Sequence, residues 1–243
     1  MEHHISLLGT WLTNVLHLQR HIWPGFNGDV QMSWLERYDH LFSASLAALL
    51  TLLVCFAVKR KLARIPAPLQ ASMEFILKGL QGILDDNIAH HAEKYLPLVG
   101  TLAMFIFFCN LFGMVPGLTP ATTNWNVTLG CALVVFFHYN WEGIKEHGPV
   151  KYFWNFRGPV WWLIPLIMPL ELLGLVARIL SHSVRLFGNM SGEHVVSGLL
   201  FTALPLLLPV PGMVLSLFAV LIQTFVFVLL TVIYLSSAIA HEH

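Results

Sequence analysis

Long uncharged stretches alternate along this chain with short segments in which the charges gather. Leu41 to Val58 is a run of 18 residues without Asp, Glu, Lys or Arg. At 1.5 Å per residue it reaches ~27 Å, enough for one crossing of a bilayer. Tyr95 to Val115 is a second such run, of 21 residues. Pro116, Gly117 and Pro120 break it with a turn, and Trp125 to Trp141 returns as a shorter third crossing. There Asn126, Thr128, His138 and Asn140 call for contact with protein or water rather than lipid. Trp161 to Leu204 spans 44 residues, or ~66 Å of helix, and Met213 to Ala240 spans 28, or ~42 Å. Both exceed a hydrocarbon core of ~30 Å, so they must incline. Pro205, Pro209, Pro211 and Gly212 force a turn between them, which predicts two long tilted helices packed as a hairpin.

Between the first two crossings the period changes. Leu69, Met73, Ile76, Leu77, Leu80, Ile83, Leu84 and Ile88 fall on one helical stripe, with Gln70, Glu74, Lys78, Gln81 and Asp85 opposite. The pattern predicts an amphipathic helix over 67–93, lying on the membrane surface or against the bundle. The whole reads as an all-α polytopic membrane protein of about five membrane helices. Residues 41–243 form one membrane domain and residues 1–40 an external segment.

Composition agrees, with 11% charged and 56% hydrophobic residues, where soluble domains run near ~25% charged. Net charge is zero and there is no basic tract, which argues against nucleic acid as a partner. Cys55, Cys109 and Cys131 lie in apolar runs without metal-ligand spacing. No basic segment, short apolar run and small-residue cleavage site open the chain, so no cleaved signal is expected. Its first forty residues hold His3, His4, His17, His21 and His40 beside Trp11, Trp23 and Trp34. Interfacial anchoring by the aromatic residues explains them better than a metal site. Neither a metal nor a cofactor is expected. Lys59, Arg60, Lys61 and Arg64 follow the first crossing at once, and Lys145, Lys151 and Arg157 follow the third. By the positive-inside rule both segments face the cytoplasm and the N-terminus lies outside.

One stretch resists the apolar pattern: Arg178-Ile-Leu-Ser-His-Ser-Val-Arg185-Leu-Phe-Gly-Asn189-Met-Ser-Gly-Glu193-His194. No charge follows it from Val195 to Ala240, and Glu171 is the only one between Gly158 and Ala177. A charge at mid-bilayer costs ~2.5–3.5 kcal/mol, so such groups face protein or water and mark ion-handling sites. In a helix Glu171, Arg178 and Arg185 are spaced by seven and stay within roughly 20–40° of one line; Ser181 and Asn189 share the face of Arg185. Gln223 is the one strongly polar side chain in the middle of the last helix, a natural hydrogen-bonding neighbour for a buried guanidinium or carboxylate. A purely structural role remains open for Arg178, which could pair within the membrane or reach for its surface. It remains open too for His182, as a hydrogen-bonding group of the bundle.

Arg185-Leu-Phe-Gly-Asn189 resembles the signature of subunit a of the F-type ATP synthase membrane sector. Glu171 stands fourteen residues before the arginine and the basic Arg178 seven before it. Gln223-Thr-Phe-Val-Phe-Val-Leu-Leu-Thr-Val-Ile-Tyr-Leu is similar to the family's last helix. Asn110-Leu-Phe-Gly-Met-Val-Pro116 and Asn124-Trp-Asn-Val-Thr-Leu resemble its middle hairpin, and the chain ends in His-Glu-His as some members do. The likeness covers residues 41–243. Members commonly carry His or Glu nine residues after the arginine, often following glycine; here His194 holds that place and Glu193 stands where glycine is usual.

The resemblance implies a non-catalytic, ion-translocating stator in a cell membrane, the inner membrane of bacteria. It implies a ring of small hairpin subunits bearing an ion-binding carboxylate, peripheral stalk subunits, and a catalytic head contacted indirectly. Arg185 would divide two offset half-channels; Glu171, with Glu193 or His194, would line the external one, and Asn189 and Gln223 would orient the arginine. A self-contained channel or secondary carrier is the alternative, but it would want its own carboxylate opposite Arg185 or two related halves. Glu171 lies about four turns away along the axis, and the chain has no repeat. An intramembrane protease would need His-Glu-x-x-His or a glycine-framed serine site, and neither pattern is present.

Overall fold

The computed structural model describes residues 21–25, 28–32, 39–60, 68–88, 92–115, 120–149, 152, 164–203 and 209–239. Among the described residues six helices carry the fold: α1 (Asp39–Arg60), α2 (Pro68–Asn87), α3 (Leu96–Leu111), α4 (Trp125–His147), α5 (Ile164–Ala203) and α6 (Pro209–Ile239). Short 3₁₀ turns at Ala92–Lys94, Phe112–Met114 and Ala121–Thr123 join the middle ones. The protein is an all-α, multi-pass membrane protein. To this the structure adds a small antiparallel hairpin of β1 (His21–Gly25) and β2 (Gly28–Met32), with Gly25 paired to Gly28. Pro24 and the glycines signal a break in any helix there, and they sit at the closed end of the hairpin. His3, His4, His17, the basic Lys61 and Arg64, and the end of the chain lie outside the described residues.

Among the described residues four helical stretches are long and apolar enough to cross a membrane: Asp39–Arg60, Leu96–Met114, Pro165–Glu193 and Pro211–Ile239. α4 is not among them, because Asn126, Thr128, His138, Asn140 and Glu142 lower its hydropathy. It also runs past Trp141 to His147, where a loop is expected from the sequence. Gly148 ends it with φ 80°, donating its N–H to the carbonyl of Ile144 at 2.8 Å. This is the left-handed cap that glycine adopts without steric cost.

The chain divides into two compact units, 1–56 with 104–127 and 187–222, and 57–103 with 128–186 and 223–243. In the first, α1 turns Asp39, Ser43, Ala47 and Thr51 inward at intervals of four, while Leu49, Leu52, Leu53 and Phe56 face out. Small residues inside and large apolar ones outside suit lipid, where close backbone approach rather than hydrophobicity holds helices together. Ala47 packs with Cys109 and Ala121, and Phe105, Phe108, Phe112 and Val127 close round them. Asn110 and Thr122, both fully buried, join through a 2.7 Å hydrogen bond from the threonine hydroxyl to the amide oxygen.

In the second unit, Leu80, Leu84, Tyr95, Val99, Val135, Tyr139, Leu186, Phe227, Val232 and Leu235 form the core. The Ser236 hydroxyl donates to the Asn87 carbonyl at 2.6 Å, tying α6 to the end of α2. Tyr152 donates to the Asn140 amide oxygen at 2.8 Å. A side chain at Gly143 would meet Tyr152 at 2.6 Å and the Ala238 carbonyl at 3.0 Å, so glycine is what lets α4 pass so close. The amphipathic α2 departs from its sequence pattern in one respect. Gln70, on the polar side, is buried and donates to Glu74 at 2.8 Å, while Leu69, Ile76 and Leu77 of the apolar stripe are exposed. Exposed apolar positions on such a helix fit a membrane surface.

Candidate functional site

α5 carries the polar stripe as one continuous helix of 40 residues. Its two sides differ sharply. Ser181, Arg185 and Asn189 are exposed, whereas His182, Ser183, Leu186 and Met190 are buried. Around Arg185 the exposed surface carries Ser181, Gly188 and Asn189, all within about 60° of it on the helix. Arg185 therefore stands as an exposed cation on a strip of small and polar residues along the helix. Helical spacing cannot distinguish this outcome from an inward-facing one, because a lipid-facing side and a bundle-facing side are both apolar.

Seven residues before it, Arg178 is half-buried and sits differently. Its guanidinium lies 5.8 Å from the centre of the Tyr234 ring, within range of a cation–π contact. Arg178, Tyr139, His182 and Tyr234 line a cavity with room for about a single water molecule. The imidazole of His182 packs on Phe227, ring centres 3.8 Å apart, and lies 5.8 Å from Tyr234. One residue further, the Ser183 hydroxyl lies 3.2 Å from that of Thr128, which pins α5 to α4. Of the residues singled out in the sequence, the structure thus brings Arg178 and His182 to one cavity and sets Ser181, Arg185 and Asn189 along the outer face.

Glu171 is half-buried, about 21 Å along the helix from Arg185 at 1.5 Å per residue. Glu193 is half-buried; the helix continues through His194, whose side chain lies outside the described residues. Gln223 is buried in the middle of α6, at 2% exposure, one turn before Phe227. Tyr139 and Tyr234 escaped the sequence reading. A signal existed for Tyr234, which follows Gln223 by eleven residues, three turns of helix, and so shares its side of α6. None existed for Tyr139, which resembles any aromatic residue near a membrane boundary.

A second polar cluster lies apart from the stripe. Lys94, at the end of a 3₁₀ turn, pairs with the buried carboxylate of Glu142, to which the Tyr95 hydroxyl also points at 3.4 Å. Burial pushes the Glu142 carboxyl up, but the hydrogen bond and charge of Lys94, with Lys145 and His138, outweigh it and hold the group below its ordinary value. The same hydrogen bond raises Lys94, against the lesser effect of burial. Among the described residues no three His, Cys, Asp or Glu side chains gather as metal ligands.

The arrangement on α5 is suited to holding an anionic partner against a fixed cation, with polar positions above and below it along the helix. The profile of the ATP synthase A chain family matches residues 41–236. The chain is 42% identical to ATP synthase subunit a 1 of Syntrophotalea carbinolica over 221 residues, 90% of this chain and 94% of the relative. It is 44% identical to ATP synthase subunit a of Nitratiruptor sp. over 206 residues, 84% of this chain and 90% of that one. With ATP synthase subunit a 2 of Syntrophotalea carbinolica it shares 38% identity over the full length of both.

Proposed function

The chain belongs to the ATP synthase A chain family, and on that premise we propose that it is the ion-translocating stator of a rotary ATP synthase, with Arg185 at the centre of the ion path. One observation carries the reading. Arg185 is exposed on a helix long and apolar enough to cross a membrane, a placement that costs ~2.5–3.5 kcal/mol against lipid. A partner that brings a carboxylate to that face removes the cost. The partner that fits is a ring of small hairpin subunits, each bearing one membrane carboxylate.

The physical cycle follows. A carboxylate in lipid is kept protonated by desolvation, and beside a guanidinium it favours the ionised form. Arginine does not lose its proton in proteins, so Arg185 is a fixed charge that a passing proton cannot use as a stepping stone. Each ring carboxylate gives up its proton on reaching Arg185 and takes another from the opposite compartment before it returns to lipid. Two half-channels offset across Arg185 make that exchange directional. One charge moved across 100 mV supplies ~2.3 kcal/mol to the rotation. His194 or Glu193, toward the outer end of α5, lines the external half-channel, and Glu171, ~21 Å from Arg185 toward the cytoplasmic loop, lines the other; Ser181 and Asn189 continue the polar strip on either side of Arg185, and Gln223 orients the arginine from within α6. Arg178 and His182 hold the helix to its neighbours. The N-terminus lies outside, with Lys59–Arg64 and Lys145–Arg157 in the cytoplasm, and peripheral stalk subunits fix the stator to the catalytic head.

Replacing Arg185 with alanine tests the assignment. The complex should assemble while ATP synthesis and ion-driven rotation are abolished, because no neutral side chain favours the ionised carboxylate or blocks a direct leak. Lysine should restore little, since its charge is a point and its proton is labile when desolvated. Coupled synthesis near the unmodified level in Arg185→Ala would refute the proposal.

A further inference from the structure

The cavity behind the ion path has chemistry that the stator mechanism does not use. His182 is 3% exposed, and neither ring nitrogen makes a hydrogen bond within the protein. A buried polar atom left in that state is costly, and nearly all such atoms in folded proteins have a partner. The ring does not lack packing, since Phe227 and Tyr234 flank it. His182 borders a space the size of one water molecule, which Tyr139, Tyr234 and Arg178 also line. Ala132, Val135, Phe136 and Ile179 line the rest. A cavity of that size holds water when two or more polar groups converge on it, whereas an apolar one stays dry. Here a histidine, two tyrosines and an arginine line it.

We propose that this cavity binds one structural water, bridging the His182 imidazole to Tyr139 on α4 and Arg178 on α5. The water fastens the α5 turn that carries Arg178 and His182 to α4 and, through Phe227 and Tyr234, to α6. His182 lies three residues before Arg185 on the same helix, so the bridge sets the height and rotation at which Arg185 meets its partner. His182 is in this sense a positioning residue. The water site stands without the ion-path reading; the consequence for Arg185 rests on it.

Electron cryomicroscopy of the intact complex, at a resolution where buried waters are visible, tests the site. Density within hydrogen-bond distance of a His182 ring nitrogen and of Tyr139 or Arg178 is expected, and its loss in His182→Leu. Its absence in a map that shows other buried waters would overturn the site, as would a direct bond from His182 to either side chain. Passive proton flux through the membrane sector, with the catalytic head removed, tests the positioning role. His182→Leu should lower flux severalfold in assembled complexes, and His182→Gln, which keeps a donor and an acceptor, should recover most of it. Equal flux in the leucine variant and the unmodified protein would overturn that role. Failure of the ion-path reading shows separately, as coupled synthesis persisting in Arg185→Ala while the water density stays.

Discussion

Replacing Lys94 with methionine removes a charge while keeping most of the side chain's length, and it isolates what an ion pair contributes at the edge of this bundle. Glu142 is 7% exposed at its side chain and Lys94 is 45% exposed. Breaking a fully buried pair costs ~3–5 kcal/mol, and an exposed one contributes ~0–1 kcal/mol. Lys94 keeps much of its hydration, so the loss falls on the carboxylate, left with a Tyr95 hydroxyl at 3.4 Å. We expect a destabilisation of about 1–3 kcal/mol, the cost of stranding one buried acceptor. Unfolding midpoints in detergent should fall accordingly, and Glu142→Gln in the Lys94→Met background should restore part of the loss.

The pH dependence makes the test sharper. In the unmodified protein the Glu142 carboxyl is held below its ordinary 4.5, so its contribution is full above that value and is lost as pH falls through the lowered one. Lys94 is raised above 10.5, so its contribution is full below 10.5 and is lost as pH rises through the raised value. In Lys94→Met burial dominates the carboxyl and pushes it up, which reverses the sign. That variant gains stability on acidification, and the gap from the unmodified protein narrows between pH 7 and 4. A gap that stays constant over this range, or no destabilisation at pH 7, would refute the reasoning.

Thr122→Val keeps the shape but strands the Asn110 amide oxygen, and should cost about 1–3 kcal/mol in the same unfolding assay. Glu171→Gln should slow proton flux through the head-stripped membrane sector without opening a leak; His194→Ala should slow it too, more than Glu193→Gln. Normal flux in both His194→Ala and Glu193→Gln places the inlet elsewhere, normal flux in Glu171→Gln places the outlet elsewhere, and a larger loss in Glu193→Gln than in His194→Ala reverses the choice between the adjacent pair. With Cys55, Cys109 and Cys131 replaced, a cysteine at Asn124 should react with an impermeant reagent from outside and one at Glu146 from the cytoplasm; the opposite labelling overturns the orientation.

Uncharged runs long enough to cross a bilayer made the all-α membrane class legible from sequence, because a buried backbone in lipid must satisfy its own hydrogen bonds and only helices do so within one segment. Arg185 was legible for a related reason: a lone arginine flanked by Asn189 and Ser181 in apolar sequence is too costly to be incidental. Local periodicity also placed Ser181 and Asn189 on its face. It could not say that this face points outward, since lipid and bundle select the same apolar residues; only the packing of His182 against Phe227 and of Ser183 against Thr128 decided that. Pairings distant along the chain were equally out of reach. Lys94 meets Glu142 48 residues away, and Arg178 meets Tyr234 on another helix, because both depend on which helices lie side by side. What each segment becomes in a membrane follows from its own hydropathy; which of its side chains meet a neighbour is settled only when the helices pack.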